Sequence, residues 1–168
     1  MRGVGASDEG PERTDDGRYI VVDGRRWRAT DPGIPEKLRV ELVAELMDAR
    51  RAVRSEGDAA RHRVQDAKVA LGERGEPWWE EPTGSALRER VAATYRALLR
   101  HRPEGTTCPS EAARVVGGEG WRGLSATVRD LAFDLADEGT VRVLQKGEPV
   151  ERGVRGPVRV GRGPRFPA

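Results

Sequence analysis

One cysteine and one histidine lie close enough in the sequence to suggest nucleophilic chemistry. Cys108 follows His101 by seven residues, and a cysteine nucleophile needs a base such as histidine beside it. A simpler interpretation places both residues at helix ends. A small residue suits the cap position before Pro109, and a histidine at a helix C-terminus is favoured by the helix dipole. We therefore predict that the protein is not an enzyme and has no catalytic residue.

The sequence has few residues that could form a metal site or a phosphate-binding loop. The chain has one cysteine and two histidines, His62 and His101, which fall in different predicted modules, whereas a structural zinc site takes four such ligands. The run Gly117-Gly118-Glu119-Gly120 follows a predicted helix and lacks the Gly-Lys-Ser/Thr ending of a phosphate-binding loop. We expect no metal site and no cofactor.

Basic side chains are the remaining candidates, and they are unevenly placed. Residues 1–82 hold 15 basic and 18 acidic side chains, residues 83–138 hold 8 of each, and residues 139–168 hold 7 basic and 2 acidic. The positive surplus therefore lies in the last thirty residues, which indicates a polyanionic partner there. Because arginine replaces lysine almost throughout, as in proteins from GC-rich genomes, only the placement of the charges is informative.

Composition excludes several classes of protein. No apolar run approaches the roughly 18 residues that a membrane span needs, and no signal peptide opens the chain. A single cysteine excludes a disulfide framework. We expect a cytoplasmic protein without a membrane partner.

The elements that position these residues fall into two predicted modules, and the first covers residues 18–82. Residues 1–17 are too polar to pack and are predicted to be a disordered tail. A β-hairpin follows, in which the Asp23-Gly24 turn pairs Val22 with Arg25 and brings Ile20 opposite Trp27. Apolar residues at helical spacing from Leu38 to Leu71, interrupted near Gly57, predict a helical hairpin or one long bent helix.

Aromatic residues of the first module have two possible roles. Trp27 lies among arginines, as in surfaces that stack nucleic-acid bases. It shares a strand face with Ile20 and Val22, however, which favours a place in the core. Trp78 and Trp79, set between prolines, would form a binding platform or a plug between the modules, and the plug is the simpler interpretation.

The second module, residues 83–161, reads as three helices and a two-stranded ribbon. The first helix ends near Arg102, and the second begins at Pro109 with Glu111 placed to cap it. The third is predicted to open at Trp121. Strands over 140–144 and 157–160 follow, and a loose basic tail covers residues 162–168. The predicted fold class is α+β and mostly helical, with a β-hairpin and helical hairpin before a winged helix-turn-helix.

Four short motifs of the second module carry a resemblance to a known family. They are Cys108-Pro109-Ser110-Glu111-Ala112-Ala113-Arg114, Trp121-Arg122, Gln145-Lys146-Gly147 and Arg155-Gly156-Pro157. Over about residues 85–161 the chain resembles a bacterial winged-helix family of domains of unknown function. The resemblance implies a winged helix and brings no catalytic residue.

The first module resembles a second family. The matching segments are Tyr19 to Pro32, Asp66 to Gly75, and Trp78-Trp79. Over about residues 18–81 the chain is similar to a short uncharacterised bacterial family that is sometimes labelled Tol biopolymer transporter-like. This resemblance implies a separate N-terminal module in a bacterial protein.

A winged helix suggests binding to double-stranded DNA, with the third helix in the major groove and the wing on the backbone. The predicted groove residues are Arg122, Ser125 and Arg129. The predicted phosphate contacts are Lys146, Arg152 and Arg155. Because the third helix is nearly balanced in charge, we expect a regulatory DNA-binding protein of weak sequence specificity.

A protein-interaction or scaffolding module without nucleic-acid binding is the alternative. Asp130, Asp134, Asp137 and Glu138 would repel phosphate from the second half of the third helix. Phe133 lies off the apolar stripe and would meet a protein, as would Trp78 and Trp79. The N-terminal helices are a possible homodimer contact.

Overall fold

A three-stranded antiparallel sheet opens the structure, a computed structural model that describes residues 10–168. Strand β2 (Tyr19–Val22) pairs with β3 (Arg25–Arg28), with Ile20 opposite Trp27 and Val22 opposite Arg25. Asp23 and Gly24 form the turn with φ angles of 52° and 74°, which Asp-Gly tolerates. The predicted hairpin and its register are therefore confirmed.

A third strand, β1 (Glu12–Arg13), pairs with the other edge of β2. It falls in the segment predicted to be a disordered tail. Thr14 anchors it, because its amide and hydroxyl contact Tyr19. The prediction is therefore wrong for residues 12–13, and residues 1–9 of the predicted tail lie outside the described range.

Two helices follow the sheet and pack against each other. Helix α1 (Glu36–Glu56) ends at Gly57, whose φ of 70° suits glycine, and a 3₁₀ turn leads into α2 (Arg61–Ala70). The predicted helical hairpin is thus present, and the alternative of one long bent helix is wrong. Its core combines residues of both helices and the chain beside them, namely Ile34, Leu38, Leu42, Leu46, Ala67, Ala70 and Leu71.

Helix α3 (Gly84–His101) is shared between two hydrophobic cores. Ala97 and Leu98 join the core of α1 and α2. Val91, Tyr95 and Leu99 join a second core, which α3 forms with α4 (Pro109–Gly117), α5 (Ser125–Asp137) and the C-terminal sheet. The two predicted modules therefore meet along α3 and share its side chains.

Ion pairs strengthen this junction. Asp66 of α2 accepts hydrogen bonds from Arg96 and Arg100 of α3 at 2.6–3.0 Å. Arg90 of α3 donates to Asp31 at 2.8 Å. Asp66 and Glu45 are buried, and arginines of neighbouring helices pair with both carboxylates.

The third helix of the second module begins later than predicted. Residues Gly118–Leu124 form a 3₁₀ turn, and α5 starts at Ser125 rather than at Trp121. Four glycines between residues 117 and 123 explain the difference, because glycine disfavours the α-helix. Gly118 has a φ of 56°, which ends α4.

A second small sheet closes the chain in the order β5-β4-β6. It contains β4 (Val141–Gln145), β5 (Glu148–Pro149) and β6 (Arg159–Arg162), all antiparallel. Thr107, just before α4, forms an isolated bridge with Val160 of β6. The described chain is therefore an α+β fold, about half helical, with a small sheet at each end.

The last residues pack on the fold, although they were predicted to be a loose basic tail. The Gly163 and Arg165 amides donate to Thr140 and Gly139. The Phe166 ring lies under the guanidinium groups of Arg100 and Arg162, at 5.6 and 4.7 Å. This segment is therefore part of the fold, because aromatic and backbone contacts outweigh its charge.

Candidate nucleic-acid interface

The turn between α4 and α5 presents a cationic aromatic cluster. The guanidinium groups of Arg114 and Arg122 both lie over the Trp121 ring, 4.6 and 4.7 Å from its centroid. Both arginines are exposed and Trp121 is half-buried. Cation–π contacts of this kind hold an arginine in place while leaving its N–H groups free to bind anions.

The first turns of α5 carry two of the predicted groove residues. Ser125 is half-buried, and its hydroxyl donates to the Trp121 carbonyl at 3.3 Å. Arg129 donates to the Val154 and Gly156 carbonyls at 2.7 and 2.8 Å. Arg129 therefore holds the loop between β4 and β6 against α5, and its guanidinium is occupied within the chain.

The second half of α5 is acidic, and arginines of the same chain pair with its carboxylates. Arg152 contacts Asp134 at 2.8 Å and Asp137 at 3.2 Å. Arg88 of α3 contacts Asp134 and Glu138. The hydrogen bond to Asp134 raises the pKa of Arg152. Arg152 is therefore held in ion pairs that reduce the negative charge of α5, and its phosphate contact stays a prediction.

Two further cations lie on the loop between β4 and β6. Lys146 is exposed at the tip of the β4–β5 turn, with a φ of 53°. Arg155 is also exposed, and its carbonyl accepts a hydrogen bond from the Gln145 side chain at 2.7 Å. The backbone of this loop is therefore fixed while both charges face solvent.

Phe133 does not reach the surface. Its side chain is 5% exposed and belongs to the C-terminal core. Arg152 covers the ring, with its guanidinium 5.6 Å from the centroid. The predicted protein contact at Phe133 is wrong for this structure, because helix α5 turns that side toward the sheet.

Trp78 and Trp79 lie half-buried between the two halves of the chain. The Trp78 indole donates to the Ala29 carbonyl at 2.9 Å, and Trp79 meets Tyr19 edge to face at 5.6 Å. The open space beside them, about 500 Å³, is also lined by Val116 and other residues of the C-terminal half. This position agrees with a plug rather than an exposed platform.

The predicted cap of α4 is present. The Glu111 carboxylate accepts a hydrogen bond from the Cys108 amide at 3.0 Å and also binds Arg102 and Thr107. Burial works to raise the pKa of Glu111, but these hydrogen bonds favour the ionised form more strongly and lower it to about 2. The Cys108 thiol accepts from the Ser110 hydroxyl at 3.1 Å.

Arg114 was missed by the sequence interpretation. It lies on α4, and only the tertiary fold brings it over Trp121. Its spacing of seven residues from Trp121 across a glycine-rich turn carries no periodic signal that predicts the contact.

The absence of two features within residues 10–168 bears on other classes of site. Within that range no helix is long and apolar enough to cross a membrane. The same residues contain no group of three His, Cys, Asp or Glu side chains arranged to hold a metal ion.

The elements from α3 to β6 thus form an α+β unit with exposed cations on α4, on the turn before α5 and on the loop between β4 and β6. Residues 88–163 of this unit match a family model described as "Protein of unknown function (DUF3253)". The match supports the predicted resemblance to a domain of unknown function. No curated protein matches the chain. The resemblance for residues 18–81 stays a prediction.

Proposed function

We propose that residues 83–161 form a winged helix-turn-helix that binds double-stranded DNA, chiefly through the phosphate backbone. The element order supports this proposal: α3, the isolated bridge at Thr107, α4, the turn, α5, then β4 and β6. In such a fold α5 would face the major groove, and the β4–β6 loop would be the wing.

One observation carries the proposal: four exposed cations lie on α4, on the turn before α5 and on the loop between β4 and β6, and they form no ion pair among the described residues. They are Arg114, Arg122, Lys146 and Arg155. Most acids of α5 lie in its second half and are paired with Arg88 and Arg152. Positive charge is therefore available where a winged helix meets the DNA backbone.

Base recognition is weak in this arrangement. The exposed side chains at the start of α5 are Ala126 and Thr127, and Asp130 follows one turn later. Arg129, one of the predicted groove residues, is bound to the loop carbonyls. The proposal is therefore binding with little sequence preference, governed by counterion release.

Fluorescence anisotropy with a labelled 20-base-pair duplex, measured across a salt series, tests the proposal. If each of the four cations meets one phosphate, the slope of log K against log salt is about −3.6. Each single alanine variant then makes the slope less negative by about 1 and weakens binding to all sequences alike. Arg26→Ala is the matched control, because Arg26 lies on the hairpin over Tyr19.

Two results of this experiment would contradict the proposal. Absence of duplex binding at 20 mM salt contradicts the proposal. Binding that Arg26→Ala weakens as much as Arg122→Ala shows that the whole positive surface attracts DNA rather than this interface.

A homodimer through the N-terminal helices remains a proposal of lesser support. The apolar faces of α1 and α2 are buried against each other and α3, so a dimer would use other surfaces. Light scattering of the full chain with and without duplex gives the stoichiometry. The alternative of a protein contact at Phe133 lacks support, because the Phe133 side chain is buried.

A further inference from the structure

We infer that a groove between the first sheet and α1 binds an acidic segment of a partner protein that carries a large apolar side chain. Most of the strongly exposed large apolar side chains of residues 10–168 line this groove. Four large apolar side chains are strongly exposed within residues 10–168: Val22 at 42%, Trp27 at 44%, Val40 at 52% and Met47 at 38%. Three of the four, all except Val40, line this groove.

The groove is large enough for side chains of another polypeptide. Its volume is about 650 Å³, within the roughly 300–1,000 Å³ typical of ligand sites. Ile20, Val43, Leu46 and Met47 supply an aliphatic floor. Residues predicted as the covered face of the hairpin thus remain open, because the sheet and α1 do not close over them.

The rim of the groove is positive. Arg13, Arg28, Arg50 and Lys68 line it, against the single acid Glu73, and of these cations Arg28 already donates to the Gly75 carbonyl at 2.7 Å. Glu73 already accepts a hydrogen bond from the Thr30 hydroxyl at 2.8 Å. A carboxylate of a partner therefore finds several cations and little repulsion, which is the charge complementarity that an acidic segment needs.

The positive surface continues beyond the groove through Arg50. A neighbouring depression of about 440 Å³ is lined by Arg50, Arg54, Arg61 and Arg74 with two valines, and no acid lines it. Of these four, Arg61 is paired with an acid, Asp58. An acidic segment longer than its apolar anchor can therefore extend across both depressions.

This face is basic although residues 1–82 carry a net negative charge. The reason is the placement of the acids, because Asp31, Glu41, Glu45 and Asp66 all lie in ion pairs with arginines away from the groove. Those pairs neutralise acidic charge at the junction of the helices. The cations that line the groove then define the local potential.

The pKa of Lys68 is sensitive to the neighbouring positive charges. Burial lowers the pKa of Lys68, and the charges of Arg74 and Arg50 lower it further, while Glu73 raises it. A carboxylate bound at the rim would favour the charged ammonium. The lowered pKa of Lys68 agrees with the several cations that line the groove.

A nucleic acid fits this groove less well than a polypeptide. Base stacking needs a bare aromatic face, but the guanidinium of Arg25 and the ammonium of Lys68 lie 4.8 and 5.7 Å from the Trp27 ring centroid. The floor is aliphatic rather than aromatic. Leucine, methionine or phenylalanine side chains flanked by carboxylates match both the floor and the rim.

Selection from a random twelve-residue peptide library on the full chain tests the inference. We expect recovered peptides to be enriched in Asp and Glu around one or two of Leu, Met, Phe and Trp. The binding of a labelled recovered peptide is then measured by anisotropy. Met47→Asp and Arg50→Glu should each weaken it at least tenfold, the first by placing charge on the floor and the second by reversing the rim.

Two matched controls separate the groove from general effects. Val40→Asp makes the same change on α1 outside the groove, and Arg26→Glu reverses a charge on the other side of β3. Both should bind the peptide within twofold of the unaltered chain.

Several results overturn the inference. They are recovered peptides without acidic enrichment, equal binding by Met47→Asp and the unaltered chain, or equal weakening by Val40→Asp. Tight binding of oligo(dT) that Met47→Asp and Arg50→Glu abolish would assign the groove to single-stranded nucleic acid instead. Duplex binding at the α4–α5 turn is measured separately with Arg122→Ala, so either proposal can fail alone.

Discussion

Arginine is used in this protein for contacts that lysine does not reproduce. Arg63 meets both carboxylate oxygens of Glu45, at 3.0 and 3.1 Å. Arg96 does the same with Asp66, at 3.0 and 2.8 Å. A guanidinium presents two parallel donors, whereas an ammonium is a point charge. The bidentate contacts make these particular arginines structural.

Glu111 is the residue whose ionisation should be most visible in stability. Its pKa is lowered from 4.5 to about 2 in the folded chain, so the folded state favours the carboxylate. This stabilisation is fully present above pH 4.5 and is lost as the pH falls toward 2. Glu111→Gln should lower the free energy of unfolding by about 1–2 kcal/mol at pH 7, allowing for partial exposure.

Urea unfolding between pH 7 and pH 2.5 measures this effect. The difference between Glu111→Gln and the unaltered chain should shrink below pH 4.5. Glu104→Gln is the control, because Glu104 is exposed and makes no ion pair among the described residues. A difference that stays constant with pH would mean that the charge of Glu111 is not the stabilising feature.

At the scale of elements, local patterns were predictable and long-range contacts were not. Asp23-Gly24 predicted the hairpin register, and Glu111 predicted the cap, because both act within a few residues. The exposure of Trp27 and the pairing of Arg129 and Arg152 depend on elements distant in sequence. Alternating and helical patterns give the face of a side chain, but they do not show whether another element covers it.

The loop between β4 and β6 should owe its order to Arg129. Arg129→Ala removes two hydrogen bonds from a charged donor, each of which contributes about 1.5–3 kcal/mol. We expect the Val154 amide to exchange with solvent at least tenfold faster. Hydrogen exchange followed by NMR measures this.

Arg155→Ala on the same loop is the comparison. Arg155 is exposed, and only its backbone carbonyl is bonded, so its removal should leave exchange within twofold while weakening duplex binding. Equal exchange rates in both variants would contradict the positioning role of Arg129.

The end of β6 leaves no space for a side chain at Gly163. A Cβ there would lie 2.8 Å from the Val141 amide nitrogen and against the Gly139 carbonyl oxygen. Because both neighbours are backbone, Gly163→Ala should cost about 1–3 kcal/mol of unfolding free energy. Gly120→Ala, at a position open to solvent, should change stability by less than about 0.5 kcal/mol. Thermal unfolding of the two variants tests this contrast, and equal midpoints would contradict it.

On the scale of the whole molecule, α3 joins halves that the sequence separates into modules. Its apolar residues enter both cores, its arginines reach Asp31 and Asp66 of the N-terminal half, and Arg102, directly after its end, reaches Glu41. The hydrophobic patterns before and after residue 82 each describe a self-contained unit. They do not reveal that a helix such as α3 has a second apolar side occupied by the other unit.

The chain should therefore unfold in one cooperative transition. Arg100 is 3% exposed at its side chain and depends on Asp66 for its partner charge, and burial lowers its pKa although the hydrogen bond and charge of Asp66 oppose this. Asp66→Asn leaves that guanidinium buried without an anion, which should cost about 3–5 kcal/mol. Because α3 connects both cores, amides of α1 and β4 should lose protection together.

Asp66→Leu combined with Arg100→Met should recover part of the loss, since it removes both charges. Denaturant-dependent hydrogen exchange gives the amide protection of the unaltered chain, the single variant and the double variant. Loss of protection confined to α1 and α2 would show that the halves fold independently.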